Sequence, residues 1–415
     1  MKRSEIPAVG TLQGVRVLSV ANFIAGPYIG GLLAEMGATV TSVERAELPD
    51  GLRTTVPEWF SCEHRNQLSM ALNLHVPEGV EVLKRLIRVN DIFIENAKAG
   101  SLAKLGFTDE VIWAENPKMV IVHVSGYGQF GDESYIRRPA LDAIAQAFSG
   151  YMNFNGPKET PMVARLYTAD YMSALTGAVG TLAALYRVRE TGIGESVDVC
   201  MYESMLRASG DAVGFGLNCG KEATRSGNRT DRAWGEGVYK CKDGKYVFWM
   251  SGQVGATTYG TLKMVGMEDA DPRPWPPFST QPEAGAELER RMKEFCDTHT
   301  QQEVVDSALK NGAIASKVMT YADMLEDPHY KARQSIIEID DPLMGKKWKS
   351  VRPTPYFKRD TSQIWRGTPI LGMDNEDLLE EVGYSAEEIA HLKEEKIIVA
   401  HTGPKKAPDE QQKSV

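Results

Sequence analysis

Apolar positions along the first 130 residues alternate between short continuous runs and helical spacings. Val15-Arg16-Val17-Leu18-Ser19-Val20 reads as a buried strand. Gly26-Pro27 then opens a helix, since a first turn tolerates proline's missing N–H. Gly37 closes that helix, and residues 39–43 form the next strand. From Pro77-Glu78 to Val89, the positions Val80, Leu83, Leu86 and Ile87 predict a helix, followed by a strand at 91–95. A short helix over 108–114 precedes another buried strand at 119–125. This βαβ rhythm predicts an α/β fold with a parallel, doubly wound sheet.

Farther along, residues 168–190 predict a long helix carrying Leu175, Val179, Leu182 and Leu185. Gly192 and Gly194 stop it, a strand follows at 195–200, and a helix continues over 201–216. The composition then changes. Residues 219–237 are polar and glycine-rich, with Arg225, Arg229 and Arg232, and read as a linker. A hairpin at 239–247 turns on Asp243-Gly244. Residues 270–287, rich in Pro, Asp and Thr, predict an exposed loop, and 287–311 predict helix. The segment from Thr402 onward has the composition of a disordered tail.

Length and charge narrow the functions open to such a chain. At 415 residues it exceeds one ordinary core, so two domains are expected. A net charge of −9 disfavours nucleic acid or an anionic membrane surface as partner, because both need a basic face. No apolar run approaches a membrane span, and Met1-Lys2-Arg3-Ser4-Glu5-Ile6-Pro7 lacks a signal-peptide core, so a cytoplasmic location is expected. The five scattered cysteines (Cys62, Cys200, Cys219, Cys241, Cys296) form no Cys-x-x-Cys pair and read as reduced thiols. No closely spaced His, Cys and Asp set predicts a metal site.

Chemistry is less legible locally. Asp170, in Tyr167-Thr168-Ala169-Asp170-Tyr171, falls in the first turn of the long helix. It fits a dipole-stabilising acid, worth about 0.3–1 kcal/mol. It also fits, less readily, a carboxylate nucleophile kept ionised by the same amides. Local sequence does not separate these. The first βα turn, Gly26-x3-Gly30-Gly31, departs from the dinucleotide Gly-x-Gly-x-x-Gly spacing. Glu44 ends the second strand as an NAD-site acid would, but Arg45 beside it better suits a phosphate or an adenine face. Lys98, Lys104, Arg137 and Arg138 follow predicted strands, where open α/β sheets bind ligands, although each alone reads as a solvated charge.

Several stretches together resemble the family III CoA-transferases, in the branch of carnitine and bile-acid CoA-transferases. They are Ile24-Ala25-Gly26-Pro27, His64-Arg65-Asn66-Gln67-Leu68-Ser69-Met70, Ser125-Gly126-Tyr127-Gly128-Gln129 and Gln146-Ala147-Phe148-Ser149-Gly150-Tyr151. Gly192-Ile193-Gly194-Glu195-Ser196-Val197-Asp198, Asp327-Pro328-His329-Tyr330-Lys331-Ala332-Arg333 and Ile364-Trp365-Arg366-Gly367-Thr368-Pro369 complete the set, in order from about residue 12 to 395. The resemblance implies that Asp170 is the nucleophile, forming a mixed anhydride and then an aspartyl-CoA thioester. It places CoA contacts at Ile24, Ala25, Arg45, the stretch from Leu72 to His75, Asn96, Ala97 and Lys98. Coenzyme A or acyl-CoA is implied as substrate, with no permanently bound cofactor and a small carboxylic acid as acceptor. The resemblance also implies a large domain from both chain ends (1–220 and 331–400), a smaller α+β domain (221–330), a tail (401–415) and an interlocked homodimer.

Departures from the family pattern bear on detail. Lys104 stands where many members carry arginine, and offers a point charge rather than a planar fork. Only Trp234-Gly235-Glu236-Gly237 answers to the glycine run that covers the anhydride in related formyl-CoA transferases. Acyl-CoA racemases of the same superfamily place a histidine just before the position of Asp142, where this chain has Leu141. Racemisation and non-catalytic CoA binding remain as alternatives. For a quaternary ammonium acceptor such as carnitine, Trp234, Tyr239 or Tyr167 would supply the aromatic cage; a steroid acid would need a broad apolar slot.

Overall fold

The computed structural model describes residues 1–222, 224–229, 234–251, 255–269 and 282–401. It divides the chain into two compact units, one of 1–149, 165–209 and 333–415, the other of 150–164 and 210–332. The first boundary therefore falls at Ser209/Gly210 rather than near 220, and 150–164 joins the second unit. Gly210, at φ +60°, breaks the helix expected over 201–216 into Met201–Ala208 and Asp211–Cys219. The expected tail, the loop residues 270–281 and Arg232 lie outside the described residues.

The first unit is built on six strands, β1 (Arg16–Ser19), β2 (Thr39–Arg45), β3 (Gln67–Leu72), β4 (Ile92–Glu95), β5 (Val120–Ser125) and β6 (Glu195–Cys200). They form one parallel sheet in the order β3-β2-β1-β4-β5-β6, the doubly wound arrangement. Strands β3, β4 and β5 are buried at every position, which is why β4 and β5 read as largely apolar runs, with Glu95 ending β4 and His123 within β5. Helix Pro77–Arg88 lays Val82, Leu83, Leu86 and Ile87 on this core, together with Leu378, Leu379, Ile389 and Leu392 from the far end of the chain.

Strand β3 is an edge strand, and residues distant in sequence cover its exposed amides. Asp374 Oδ2 accepts from Ser69 N at 2.8 Å and Asn375 Oδ1 from Ala71 N at 3.0 Å. Arg366 fixes Asp374 with bonds of 3.0 and 2.9 Å, and Asn66 receives the amide of Trp365 at 2.8 Å. A hairpin, β10 (Ile336–Asp341) and β11 (Lys346–Val351), belongs to the same unit.

In the second unit β7 (Glu236–Lys240), β8 (Tyr246–Met250) and β9 (Ile314–Lys317) form an antiparallel sheet. Asp243-Gly244 lies in the β7–β8 turn, with Gly244 at φ +79°. The helical stretch expected over 287–311 is two helices, Pro282–Thr298 and Gln301–Asn311, because Thr300 and Glu303 form a capping box that starts a new helix. Trp249, Leu262, Leu288, Met292, Cys296 and Val304 make this unit's core. Among the described residues, no helix is long and apolar enough to cross a membrane.

Candidate active site

Sheet order reverses between β1 and β4, so the loops leaving their carboxyl ends flank the crevice where such sheets take ligands. Two hydrogen bonds tie these loops: Asn22 N donates to Asn96 Oδ1 at 2.8 Å, and Asn96 Nδ2 donates to Asn22 O at 2.6 Å. Gly26 permits the approach, since a Cβ there would lie 2.5 Å from that of Ala21 and 3.1 Å from that of Asn96. Phe23 is held in the left-handed region, at φ +63°, by its amide bond of 2.6 Å to Asp50, and its side chain stands half exposed. Beneath the β4 loop, His123 on β5 bridges Glu95 at 2.6 Å and Asp109 at 2.9 Å. These two carboxylates, working against burial, raise the imidazole to about 9, so both ring nitrogens donate.

Most of the residues expected to meet CoA gather at this one sheet edge. Ile24 and Ala25 start the helix Ala25–Glu35 and are buried. Arg45 ends β2 and is exposed; Leu72 ends β3, is fully buried, and accepts from Ala46 N through its carbonyl at 3.2 Å. His75 is exposed, 3.5 Å from Glu47. Asn96 and exposed Lys98 follow β4, and Lys104 lies in the short turn Ala103–Leu105. Among the described residues Arg45, Lys98 and Lys104 form no ion pair. Arg138 differs: its guanidinium stacks on Tyr135 at 4.0 Å and its Nε donates to Ser134 O. Glu44, the NAD-type acid, is gripped by Arg53 at 2.6 and 3.0 Å and is closed to any ribose.

Asp170 lies at the same edge, because the helix Thr168–Thr191 runs back from β5 towards the start of β6 and so begins beside the strand ends. Leu166 and Tyr167 immediately before it have φ of +66° and +53°. Two successive non-glycine residues in that region cost about 1–3 kcal/mol each. The bend they make sets Tyr167 against Trp59, with ring centres 4.2 Å apart. Tyr171 meets Tyr28 of the helix Ala25–Glu35 edge to face at 4.9 Å, joining the Asp170 turn to the helix that starts at Ile24.

The expectation that helix amides keep Asp170 ionised is corrected by this geometry. Asp142 takes them instead: its Oδ1 accepts from Ala169 N at 2.7 Å and Asp170 N at 3.4 Å, while Gln146 Nε2 donates to its Oδ2 at 2.7 Å. No described residue donates to the Asp170 carboxyl. Burial first, then the charges of Asp142 and Glu63, push Asp170 up to about 7. Glu63 is itself raised to about 7 by burial, with one oxygen bonded to Tyr171 Oη at 2.6 Å. The result is a half-buried carboxyl with open oxygens at a helix start, in reach of protonation near neutral pH.

Sequence reasoning did not find Asp142, Glu63, Trp59 or Tyr171 as site residues. Asp142 has a readable signal, an acid at the start of a helix, but its partner is another helix 27 residues away. Glu63 and Tyr171 meet across 108 residues and leave no local pattern. Leu141, directly before Asp142, is exposed and offers no base for two-sided proton exchange. Of the aromatic cage candidates, Trp234 carries Arg229 over its ring at 4.7 Å, and Tyr239 packs on the second unit's core. Glu236 and Gly237 lie in β7, and Gly235 in the turn before it accepts from Ser251 N at 3.0 Å.

Comparison with known proteins agrees with this architecture. The model of CoA-transferase family III matches residues 12–375. The bile acid CoA-transferase BaiK of Clostridium scindens is 40% identical over 396 residues, 93% of this chain and 89% of that protein. A CAIB/BAIF family protein from Brucella suis shares the fold, with TM-score 0.77 at 24% identity over 90% of this chain and all of its own. Rv3272 from Mycobacterium tuberculosis does so with TM-score 0.76 at 20% identity, over 89% of this chain and 99% of its own. With the doubly wound sheet in place, the family model's match over residues 12–375 and the 40% identity with BaiK over 93% of the chain make this enzyme a member of the CoA-transferase family III.

Proposed function

We propose that the enzyme moves CoA from an acyl-CoA to a free carboxylic acid through covalent intermediates on Asp170. The observation that carries this reading is the Asp170 carboxyl, which has no hydrogen-bond donor among the described residues and sits at the sheet edge beside the β1–β4 crevice. The carboxylate attacks the thioester carbonyl and expels CoA thiolate, leaving a mixed anhydride. The thiolate then attacks the aspartyl carbonyl, releasing the donor acid and leaving an aspartyl-CoA thioester. The acceptor carboxylate attacks that thioester, and the returning thiolate takes the new acyl group, so Asp170 is regenerated as the anion. Attack needs the ionised carboxyl, and the carboxyl's desolvation, together with its charged neighbours, makes the anion more reactive than one in water.

Arg45, Lys98 and Lys104 are the cations for the CoA phosphates in this reading, and Ile24, Ala25 and Asn96 line the path between them. His75, implied by the family resemblance, and Arg138, a basic residue after a strand, are further CoA contacts in this reading, with Arg138 needing to leave Tyr135 to serve. A bile-acid-like acceptor is favoured over carnitine. The relative at 40% identity is a bile acid CoA-transferase by name, and this carries the preference, since the Trp59–Tyr167 pair beside Asp170 would equally serve a quaternary ammonium. Incubation with acyl-CoA followed by hydroxylamine and mass spectrometry should place a hydroxamate on Asp170. An unmodified Asp170 together with full activity in Asp170→Ala would overturn the mechanism. A panel of bile acids, carnitine-like acids and simple fatty acids as acceptors decides the substrate.

The same reading includes a cytoplasmic, interlocked homodimer. Leu175, Val179 and Tyr186 form an exposed apolar stripe on the outer face of the long helix, with Val179 at 70% and Tyr186 at 72% exposure. A second copy of the chain is the occupant proposed for it.

A further inference from the structure

The antiparallel sheet of the second unit buries one face and leaves most of the other open. Gly237, Trp249 and Ala315 form one cross-strand row, and Trp249 is fully buried in that unit's core. Side chains alternate along a strand, so the flanking rows point the opposite way. Glu236, Met250 and Ile314 make one row of that opposite face, and Val238, Phe248 and Ser316 the next. Lys240 and Tyr246 make a third, joined by Val318, whose amide donates to Tyr246 O at 2.9 Å. Phe248, Tyr246, Val318 and Ile314 are between 42% and 47% exposed. Three strands over five residues give a face about 10 Å across and about 14 Å long.

One end of this apolar face holds a carboxyl that nothing answers. Glu236 is 5% exposed, and its Oε1 is buried with no hydrogen-bond partner. Burial pushes its carboxyl up, and among the described residues it forms no ion pair. Lys240 shares the strand face but is exposed and lies about 14 Å farther along it. The cross-strand neighbours Met250 and Ile314 carry no side-chain donor. A buried polar atom without a partner is uncommon in a folded chain, so the donor is to be sought in a ligand.

We propose that this face of the second unit binds the apolar body of a hydroxylated carboxylic acid, with Glu236 Oε1 accepting a hydrogen bond from a ring hydroxyl of that body. The inference rests on a steroid acid being the acceptor, and makes Glu236 a specificity-determining residue for it. A flat apolar face of this breadth fits a rigid fused-ring body, whereas a compact quaternary ammonium would leave most of it uncovered. An acid with the same rings but no hydroxyl would cover the face and leave Oε1 unpaired, which is how a buried acceptor discriminates.

Two steroid acids test this: chenodeoxycholate, and 5β-cholanate, which has the same rings and carboxyl but no hydroxyl. With a common acyl-CoA donor, wild type should use the first with a kcat/KM about 10–100-fold higher. In Glu236→Leu the two acids should come within about threefold of each other. Phe248→Ser should raise KM for both acids by about tenfold and keep their ratio; this variant carries the test should Glu236→Leu fail to fold. A glutamate buried for structure alone would leave the ratio unmoved. Equal use of the two acids by wild type, an unchanged ratio in folded Glu236→Leu, or unchanged KM values in Phe248→Ser overturns the proposal and leaves the steroid acceptor standing. A wild type that transfers CoA to neither acid overturns the acceptor reading, and the role of Glu236 with it.

Discussion

Asp170 titrates near 7 in the folded chain against an ordinary 3.8, and that difference has two measurable consequences. Between those values the folded state holds a proton that the unfolded state has released, so stability falls as pH rises through this window and is lowest above 7. Asp170→Asn, neutral at every pH, should therefore be more stable than wild type at pH 8, by about 1–3 kcal/mol after allowing for coupling to Glu63. The two should be nearly equal at pH 4. Denaturant melts at both pH values check this, and a variant less stable at pH 8 would contradict the burial argument. Under the proposed mechanism activity should run the other way, rising with pH through about 7 as Asp170 ionises, which a pH profile of kcat/KM checks.

Two contacts between elements decide how firmly the site is held. Asp142 caps the long helix from outside, so Asp142→Ala should cost about 1–2 kcal/mol and lower kcat more than Asp142→Asn, which keeps an acceptor. His123 locks β4 to β5 under the Asn96–Lys98 loop. Raised from 6.5 to about 9, it contributes stability that is fully present below 6.5 and is lost as pH rises through 9. His123→Gln should flatten the alkaline loss of melting temperature and weaken CoA binding, as read by calorimetry.

What could be read from the sequence follows from where each element's partners lie. Strands β4 and β5 and the helix Pro77–Arg88 bury apolar side chains among near neighbours in pattern, so periodicity finds them. Strand β3 hides because Gln67 and Ser69 interrupt its apolar run, and the groups that satisfy this edge come some 300 residues later. Asp170 was visible through its motif as the candidate nucleophile, but its titration was not. That depends on Asp142 and Glu63, which arrive from other elements.

At the scale of the molecule, the apolar stripe on the long helix predicts self-association. Val179→Glu should convert a dimer to monomers in sedimentation at micromolar concentration, and a wild type already monomeric there would refute the second copy as occupant. The first unit's other vulnerable surface is its β3 edge. Asp374→Ala removes the partner of Arg366, a buried cation, and the side-chain bond to Ser69 N on the edge at once. A loss of about 3–5 kcal/mol is expected, with aggregation below the melting point as the visible sign.

That edge also sets an order of events during synthesis. All six strands of the sheet have been made by Cys200, yet the side chains that seal β3 arrive only at Asp374 and Asn375. At roughly 5–20 residues per second, a ribosome leaves the sheet's border unpaired for roughly 10–35 seconds while the second unit is being made. A newly begun chain is therefore a natural client for a chaperone over that interval. Slowing elongation between 210 and 370 should lower the yield of soluble enzyme without altering any contact in the finished fold.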